Sequence, residues 1–214
     1  MRPCYNKLEN EPLPPFADNL VFWAPLTEGD LTDHISGVEP TTDAGCSVTW
    51  DAEKQMYKFY ANGSSSSYKA SARYGSLDMG MLDGDAVTLV IDVEEISYSG
   101  NHYSPMLCTP DGIVESQGFN SARVNNVYYH SGIDLELHRY SVVFERKIGA
   151  GKFNVIRYQD GIHKHTTQWT APLKLSDNIA TICQLNNGNT LYSIYAKNAR
   201  IYNRELTAEE VAQL

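Results

Sequence analysis

The strongest pattern along the chain is an alternation of apolar and polar positions with a period of two. Two segments show it most clearly, the first with apolar residues at Val87, Leu89, Ile91 and Val93, the second at Tyr140, Val142 and Phe144. Successive side chains of a β-strand point to opposite faces of the sheet, so each apolar set lies on one face. Both segments are therefore predicted to be strands that point these residues into a core.

Turn residues separate further strands. Leu20–Leu26 is almost wholly apolar, which predicts a central strand covered on both faces. Ser47–Trp50 and Gln55–Ala61 flank a short polar turn and predict a hairpin. The pair Asp160-Gly161 predicts a second hairpin with a type I′ turn, because both residues tolerate a positive φ.

Helical signals are confined to the last residues of the chain. Thr207 and Glu210 have the spacing of a capping box, and Leu206 and Val211 have that of a hydrophobic staple. No other window sustains helical periodicity for ten residues. Many short strands with little helix predict an all-β sandwich of two antiparallel sheets, with a short C-terminal helix over Thr207–Leu214.

Composition bounds the organisation and the partners. A chain of 214 residues with 42% hydrophobic content suits one domain, predicted over residues 19–214. Residues 1–18 contain Pro3, Pro12, Pro14 and Pro15 and predict a proline-rich N-terminal arm; they show no signal peptide. A net charge of −9 argues against nucleic-acid binding, which needs a basic face. No apolar run reaches the ~20 residues of a membrane span.

Three segments occur in the order typical of one superfamily. They are Asn19–Leu26, Phe153–Gly161 and the closing Ala199-Arg-Ile-Tyr-Asn-Arg-Glu-Leu-Thr-Ala-Glu-Glu-Val211. Together they resemble the concanavalin A-like lectin/glucanase superfamily, in particular its laminin G-like bacterial domains. The resemblance implies a jelly-roll sandwich and an extracellular or cell-surface location. It does not single out a function, because such jelly rolls serve as lectins, glycosidases, adhesins and spacers.

The retaining glucanases of this superfamily resemble one another in a Glu-x-Asp-x-x-Glu motif on one strand. Period-2 spacing puts its carboxylates on one face, about 5 Å apart. In Asp92-Val-Glu-Glu-Ile96, Asp92 and Glu94 share a face, but the third acid is missing, and Asp134-Leu-Glu136 has the same defect. These acids are interpreted as solvent-facing carboxylates, and a glycoside hydrolase with an atypical carboxylate pair is kept as an alternative.

Two metal sites are weighed against plain structural roles. Laminin G-like domains often hold calcium at a loop rim, and Asp83 and Asp85 flank a glycine in a loop that could supply two oxygen ligands. The competing interpretation is a tight turn. His163 and His165 would lie on one strand face, as in a zinc site, but no third ligand is evident and exposed histidines are favoured.

Sugar binding has the most support among specific functions. Sugars need aromatic rings for their C–H faces and planar polar side chains for their hydroxyls. Two polar segments supply both, through the predicted contacts Asn101, His102, Tyr103, Arg123, Asn125 and Tyr128. The sequence thus predicts a non-catalytic module that binds a glycan on an open face. The alternative is a structural or adhesive protein, such as a surface or tail-fibre component, that docks on a protein partner through its arm.

Overall fold

A computed structural model describes residues 12–63, 69–77, 79–100, 105–109, 113–115, 136–185 and 189–214. A 3₁₀ turn covers Ala17–Asn19, and one short α-helix, α1, covers Ala208–Val211. The strands in chain order are β1 Leu20–Ala24, β2 Ser47–Asp51, β3 Met56–Asn62, β4 Lys69–Tyr74, β5 Val87–Gly100, β6 Pro105–Cys108, β7 Ile113–Glu115, β8 His138–Phe144, β9 Phe153–Gln159, β10 Ile162–Trp169, β11 Ala180–Leu185 and β12 Asn189–Tyr202.

The strands form two antiparallel sheets. The large sheet has the order β10-β9-β8-β5-β12-β3-β2, and β1 also pairs with β12. The small sheet has the order β4-β11-β6-β7. The prediction of an all-β protein with two antiparallel sheets and a short C-terminal helix is confirmed in this form. Within the described ranges, no helix is long and apolar enough to cross a membrane.

The main core lies between the sheets and follows the period-2 pattern. Val87, Leu89, Ile91 and Val93 of β5 are fully buried in it, together with residues of the small sheet such as Ile182. On β8, its members are Tyr140, Val142 and Phe144. The prediction that these alternating residues point into the core is confirmed. The other face of the large sheet, which we call the outer face, therefore carries the intervening residues.

A second apolar cluster covers one end of that outer face. It joins Val90 and Val143 of the sheet to Leu206, which lies just before α1, and to Val211, the last residue of α1. Trp23, Tyr158 and Tyr202 complete its aromatic part. Burial of both staple residues in one cluster bears out the predicted helix start. A helix of one turn is marginal in isolation, so this packing is what stabilises it.

The capping box of α1 is present in full. The Thr207 hydroxyl accepts a hydrogen bond from the Glu210 amide, and the Glu210 carboxylate accepts one from the Thr207 amide. The same carboxylate receives two bonds of 2.7 Å from the Arg204 guanidinium. This guanidinium, with the amide bond, lowers the pKa of Glu210 to about 2. The helix begins at Ala208 and ends at Val211, shorter than the predicted span to Leu214.

The position predicted for the first strand was wrong, although its burial was right. Phe22 and Ala24 of β1 belong to the main core, whereas Leu20 and Trp23 belong to the second cluster. Both faces are thus covered, as the apolar run indicated. However, β1 pairs only with β12 among the described strands, beside residues 199–202 and beyond the end of β3. The apolar pattern reports coverage of the two faces and contains no information on neighbours in the sheet.

Both predicted hairpins form. β2 and β3 pair from Ser47–Tyr60 to Asp51–Met56. Asp160 and Gly161 connect β9 to β10 with φ values of 52° and 74°, the two positive values of a type I′ turn. A Cβ atom on Gly161 would lie 3.1 Å from the Ala212 Cα atom. Glycine is therefore required both by the turn and by the close approach of this hairpin to the end of α1.

Candidate functional site

The part of the outer face of the large sheet that lies outside the second cluster is polar. Because Phe59 and Ala196 point into the core, their sequence neighbours on β3 and β12 point outward. We call the resulting surface the tyrosine face, and it comprises Tyr60, Glu94, Ser193, Tyr195 and Lys197. Strand pairing places Tyr60 opposite Ser193, Tyr195 opposite Glu94, and Lys197 opposite Asp92.

Tyr195 is held in place by polar contacts at its edge and on its ring. Its hydroxyl donates a 2.8 Å hydrogen bond to Asp51, which raises the pKa of Tyr195. The pKa of Asp51 is lowered by the backbone amide of Lys54 and by the Tyr195 hydroxyl. The Lys54 ammonium lies 4.9 Å from the centre of the ring and 2.6 Å from the Glu94 carboxylate. The ring thus forms a fixed, half-buried aromatic surface.

Tyr60 and Ser193 continue the same surface. Tyr60 is half-buried, and the diagonal arrangement puts it about 7–8 Å from Tyr195 across the strand pair. Ser193 is opposite Tyr60 and two residues before Tyr195 on β12. It is buried, and its hydroxyl has no hydrogen-bond partner in the described part of the chain. The face therefore presents two aromatic rings, and the Ser193 hydroxyl lies buried beneath it.

A cleft of about 370 Å³ adjoins the tyrosine face, and Lys197 belongs to both. We call it the helix cleft, since the end of α1 forms one wall. Its apolar lining consists of Leu137, Gly161, Val211, Ala212 and Leu214. Its polar lining consists of Asp92, His138, Arg139, Asp160 and Lys197.

The base of the helix cleft is an ion pair that the sequence did not predict. Arg139 donates two hydrogen bonds to Asp92, of 2.6 and 2.9 Å, and Asn198 donates a third of 2.9 Å. Asn198 is the extra residue of a bulge in β12 with φ of 54°, which asparagine tolerates better than most residues. Asp92 raises the pKa of Arg139. Interpreting Asp92 as a solvent-facing carboxylate was therefore wrong, as it is 4% exposed.

The hairpin turn supplies a second pairing at the rim of the helix cleft. Asp160 accepts a 2.5 Å hydrogen bond from the His138 ring and a 2.9 Å bond from the Arg139 amide. Both oxygens of each cleft carboxylate thus already accept a bond from the protein. The Lys197 ammonium, by contrast, has no hydrogen-bond or ion-pair partner within the described residues.

The predicted calcium ligands, Asp83 and Asp85, lie in the loop that precedes β5. One oxygen of Asp83 accepts three hydrogen bonds, from the Leu175 amide and from the amide and hydroxyl of Ser176. Asp85 binds the Leu82 amide at 2.9 Å and Arg146 at 3.1 Å. The described residues contain no group of three or more His, Cys, Asp or Glu side chains arranged to hold a metal. Calcium at Asp83 and Asp85 stays a prediction.

The two strand histidines do not share a face. A bulge interrupts β10, so that His163 pairs with Tyr158 and His165 pairs with Arg157. These partners are consecutive residues of β9 and point to opposite faces, so the two imidazoles also do. The one-face geometry expected for a zinc site was therefore wrong, because strict alternation does not continue through a bulge.

The six predicted sugar contacts lie outside the described residues. Asn101, His102 and Tyr103 directly follow β5, and the segment with Arg123, Asn125 and Tyr128 precedes β8. They stay predictions. Tyr60 and Tyr195 were not among the predicted contacts, although a signal was present: each alternates with residues that point into the core.

Comparison with solved structures identifies where this architecture recurs. The botulinum neurotoxin serotype G binding domain matches with a TM-score of 0.59 and 18% identity, over 91% of this chain and 50% of that chain. The binding domain of botulinum neurotoxin DC in complex with SialylT matches with a TM-score of 0.57 and 12% identity, over 92% of this chain and 50% of that chain. The botulinum neurotoxin serotype D ligand binding domain in complex with N-acetylneuraminic acid matches with a TM-score of 0.56 and 9% identity, over 91% of this chain and 50% of that chain.

The chain spans about half the length of each of these neurotoxin domains. At this level of identity the likeness is one of fold alone, because a fold can host unrelated functions. No family model matches the sequence, and no curated protein matches it. The structural matches are named as binding domains, and the ligands in their names belong to those longer chains.

Proposed function

We propose that the protein is a non-catalytic carbohydrate-binding module with a concanavalin A-like, laminin G-like jelly roll. It binds a glycan along the tyrosine face and acts outside the cell or at a cell surface. The likeness to toxin binding domains, two of them solved with sialic acid-type ligands, supports this class of function. The predicted contacts Asn101, His102, Tyr103, Arg123, Asn125 and Tyr128 extend the same proposal to the segments that follow β5 and precede β8 in the sequence.

One observation carries the proposal. Tyr60 and Tyr195 stand on adjacent strands, diagonal to each other, on the outer face of the large sheet. A pyranose presents a C–H face that packs on an aromatic ring and hydroxyls at its rim that need polar partners. Two rings on a rigid sheet meet the first need, and the part-exposed Lys54 and Glu94 beside the Tyr195 ring meet the second. An open face suits a polysaccharide, which passes over the surface without a chain end entering a pocket.

Replacing Tyr60 or Tyr195 by alanine is expected to weaken glycan binding about tenfold, because each ring contributes stacking of about 1 kcal/mol in addition to buried area. The measurement is affinity electrophoresis against a panel of neutral and acidic polysaccharides. It is supported by thermal unfolding of the wild-type protein, where saturating ligand raises the unfolding temperature. Trp169→Ala is the matched control, since Trp169 is an exposed aromatic on β10. Equal losses in the control and the tyrosine variants would contradict the assignment of the face.

A second candidate function, a structural or adhesive protein, is favoured by β10. This eight-residue strand is at the edge of the large sheet, and Ile162 and Trp169 are 63% and 48% exposed on it. It contains no proline, and its guards as an edge strand are limited to Lys164 and the bulge before His165. If β10 pairs with another copy, sedimentation velocity should show a dimer that Trp169→Lys dissociates. A monomer at all concentrations would dismiss pairing between copies.

A further inference from the structure

We infer that the helix cleft is the subsite for a sugar unit that carries a carboxylate, with Lys197 as its counter-ion. The inference rests on the proposed glycan binding and adds the chemical class of one unit of the glycan. It also assigns a role to a cleft beyond the tyrosine face that the sequence did not predict.

Charge pairing in the helix cleft points to an anion. Asp92 is matched by Arg139, and the Asp160 oxygens are occupied by His138 and by the Arg139 amide. Lys197 is the cleft cation that binds no protein group in the ranges described. A carboxylate that enters would gain charge-assisted hydrogen bonds from this ammonium. A neutral sugar would leave the same ammonium with water alone.

The size and lining of the cleft fit one monosaccharide. Its volume of about 370 Å³ lies at the small end of the range for ligand sites, about 300–1,000 Å³. Val211, Ala212 and Leu137 offer an apolar wall to the C–H face of the ring. Lys197 is two residues beyond Tyr195 on the same face of β12, a separation of about 7 Å. Adjacent units of one glycan can therefore occupy the cleft and the tyrosine face.

The net charge of the protein does not oppose this subsite at short range. The charge of −9 repels a polyanion over long distances, but screening limits that repulsion to about 8 Å at physiological ionic strength. Recognition then depends on groups in contact with the sugar. An acidic unit within a mainly neutral glycan would suit this balance better than a densely charged polymer.

The test uses three probes: galacturonic acid, its methyl ester, which keeps the ring without the charge, and galactose. Each is titrated into the full chain labelled with ¹⁵N, and the amide shifts of Leu137, Gly161 and Ala212 report on the cleft. Galacturonic acid is expected to shift these amides and to bind about tenfold more tightly than either neutral probe. Lys197→Gln should remove that preference, Lys197→Arg should retain it, and Lys164→Gln on β10 should leave it unchanged.

The outcomes separate this inference from the proposed function. If galacturonic acid and its ester shift the amides equally, or if Lys197→Gln retains the preference, the inference is overturned. Binding of polysaccharide that Tyr195→Ala weakens about tenfold would then still support the proposed function. A cleft that prefers galacturonic acid in a protein that binds no polysaccharide would instead overturn the proposed function alone. Absence of both kinds of binding would overturn both.

Discussion

Replacing Arg139 by alanine is expected to lower the free energy of unfolding by about 3 kcal/mol. Removing one partner of a buried ion pair costs about 3–5 kcal/mol, because the remaining charge is left without compensation. Asp92 is 4% exposed and would keep only the Asn198 amide. We expect the lower end of that range, since the Arg139 side chain is itself 31% exposed and its removal admits water.

Urea denaturation at neutral pH is the measurement, and Arg146→Ala is the matched control. Arg146 also pairs with an aspartate, Asp85 at 3.1 Å, but its side chain is 63% exposed. Exposed pairs contribute about 0–1 kcal/mol, so this control should change little. Similar small losses in both variants would contradict a structural role for the pair at the base of the helix cleft. The cleft would then be open to solvent at Asp92.

Local patterns predicted the elements of this fold well. The alternation in β5 and β8, the type I′ turn at Asp160-Gly161 and the capping box of Thr207 each depend on residues close together in sequence. For such features, the side-chain period or the backbone preference is itself the physical cause. They are therefore visible without any knowledge of the neighbouring strands.

Features that depend on strand order could not be predicted in the same way. Asp92 and Arg139 are 47 positions apart, and only the pairing of β5 with β8 makes them neighbours. The place of β1 beside β12 has the same origin, as does the tyrosine face, which joins β3 to β12. The bulge before His165 limits prediction in a second way, because one extra residue turns every later side chain of the strand to the opposite face of the sheet. No property of a single segment contains this information.

The loop after β1 makes a further pairing of this non-local kind, and it yields the second large expected effect. Asp33→Ala should lower the free energy of unfolding by about 3 kcal/mol. Asp33 is fully buried, and its carboxylate accepts bonds from the amides of Trp23, Ile35 and Ser36 and from the Ser36 hydroxyl. Alanine would leave these buried donors unsatisfied, at about 1–3 kcal/mol each before water relieves part of the cost.

Asp33 is important for the fold because it accepts the hydrogen bond of the Trp23 amide. β1 pairs with β12 on one side, so the amides on its other edge need partners that no strand supplies among the described residues. Asp33 accepts the Trp23 amide at 2.8 Å, and the His34 amide donates to the Trp23 carbonyl at 2.7 Å. Two consecutive residues of a loop thus pair with this edge as a strand would.

Asp33→Asn distinguishes this account from a simple loss of packing. Asparagine keeps the volume and one acceptor oxygen but directs an amide donor at groups that also donate, so we expect about half of the alanine effect. Burial raises the pKa of Asp33, which indicates that these donors offset only part of the cost of burying the charged form. Hydrogen exchange of the Trp23 amide should accelerate in both variants, ahead of amides in β5. Unchanged protection of Trp23 would mean that the edge of β1 is covered by something other than Asp33.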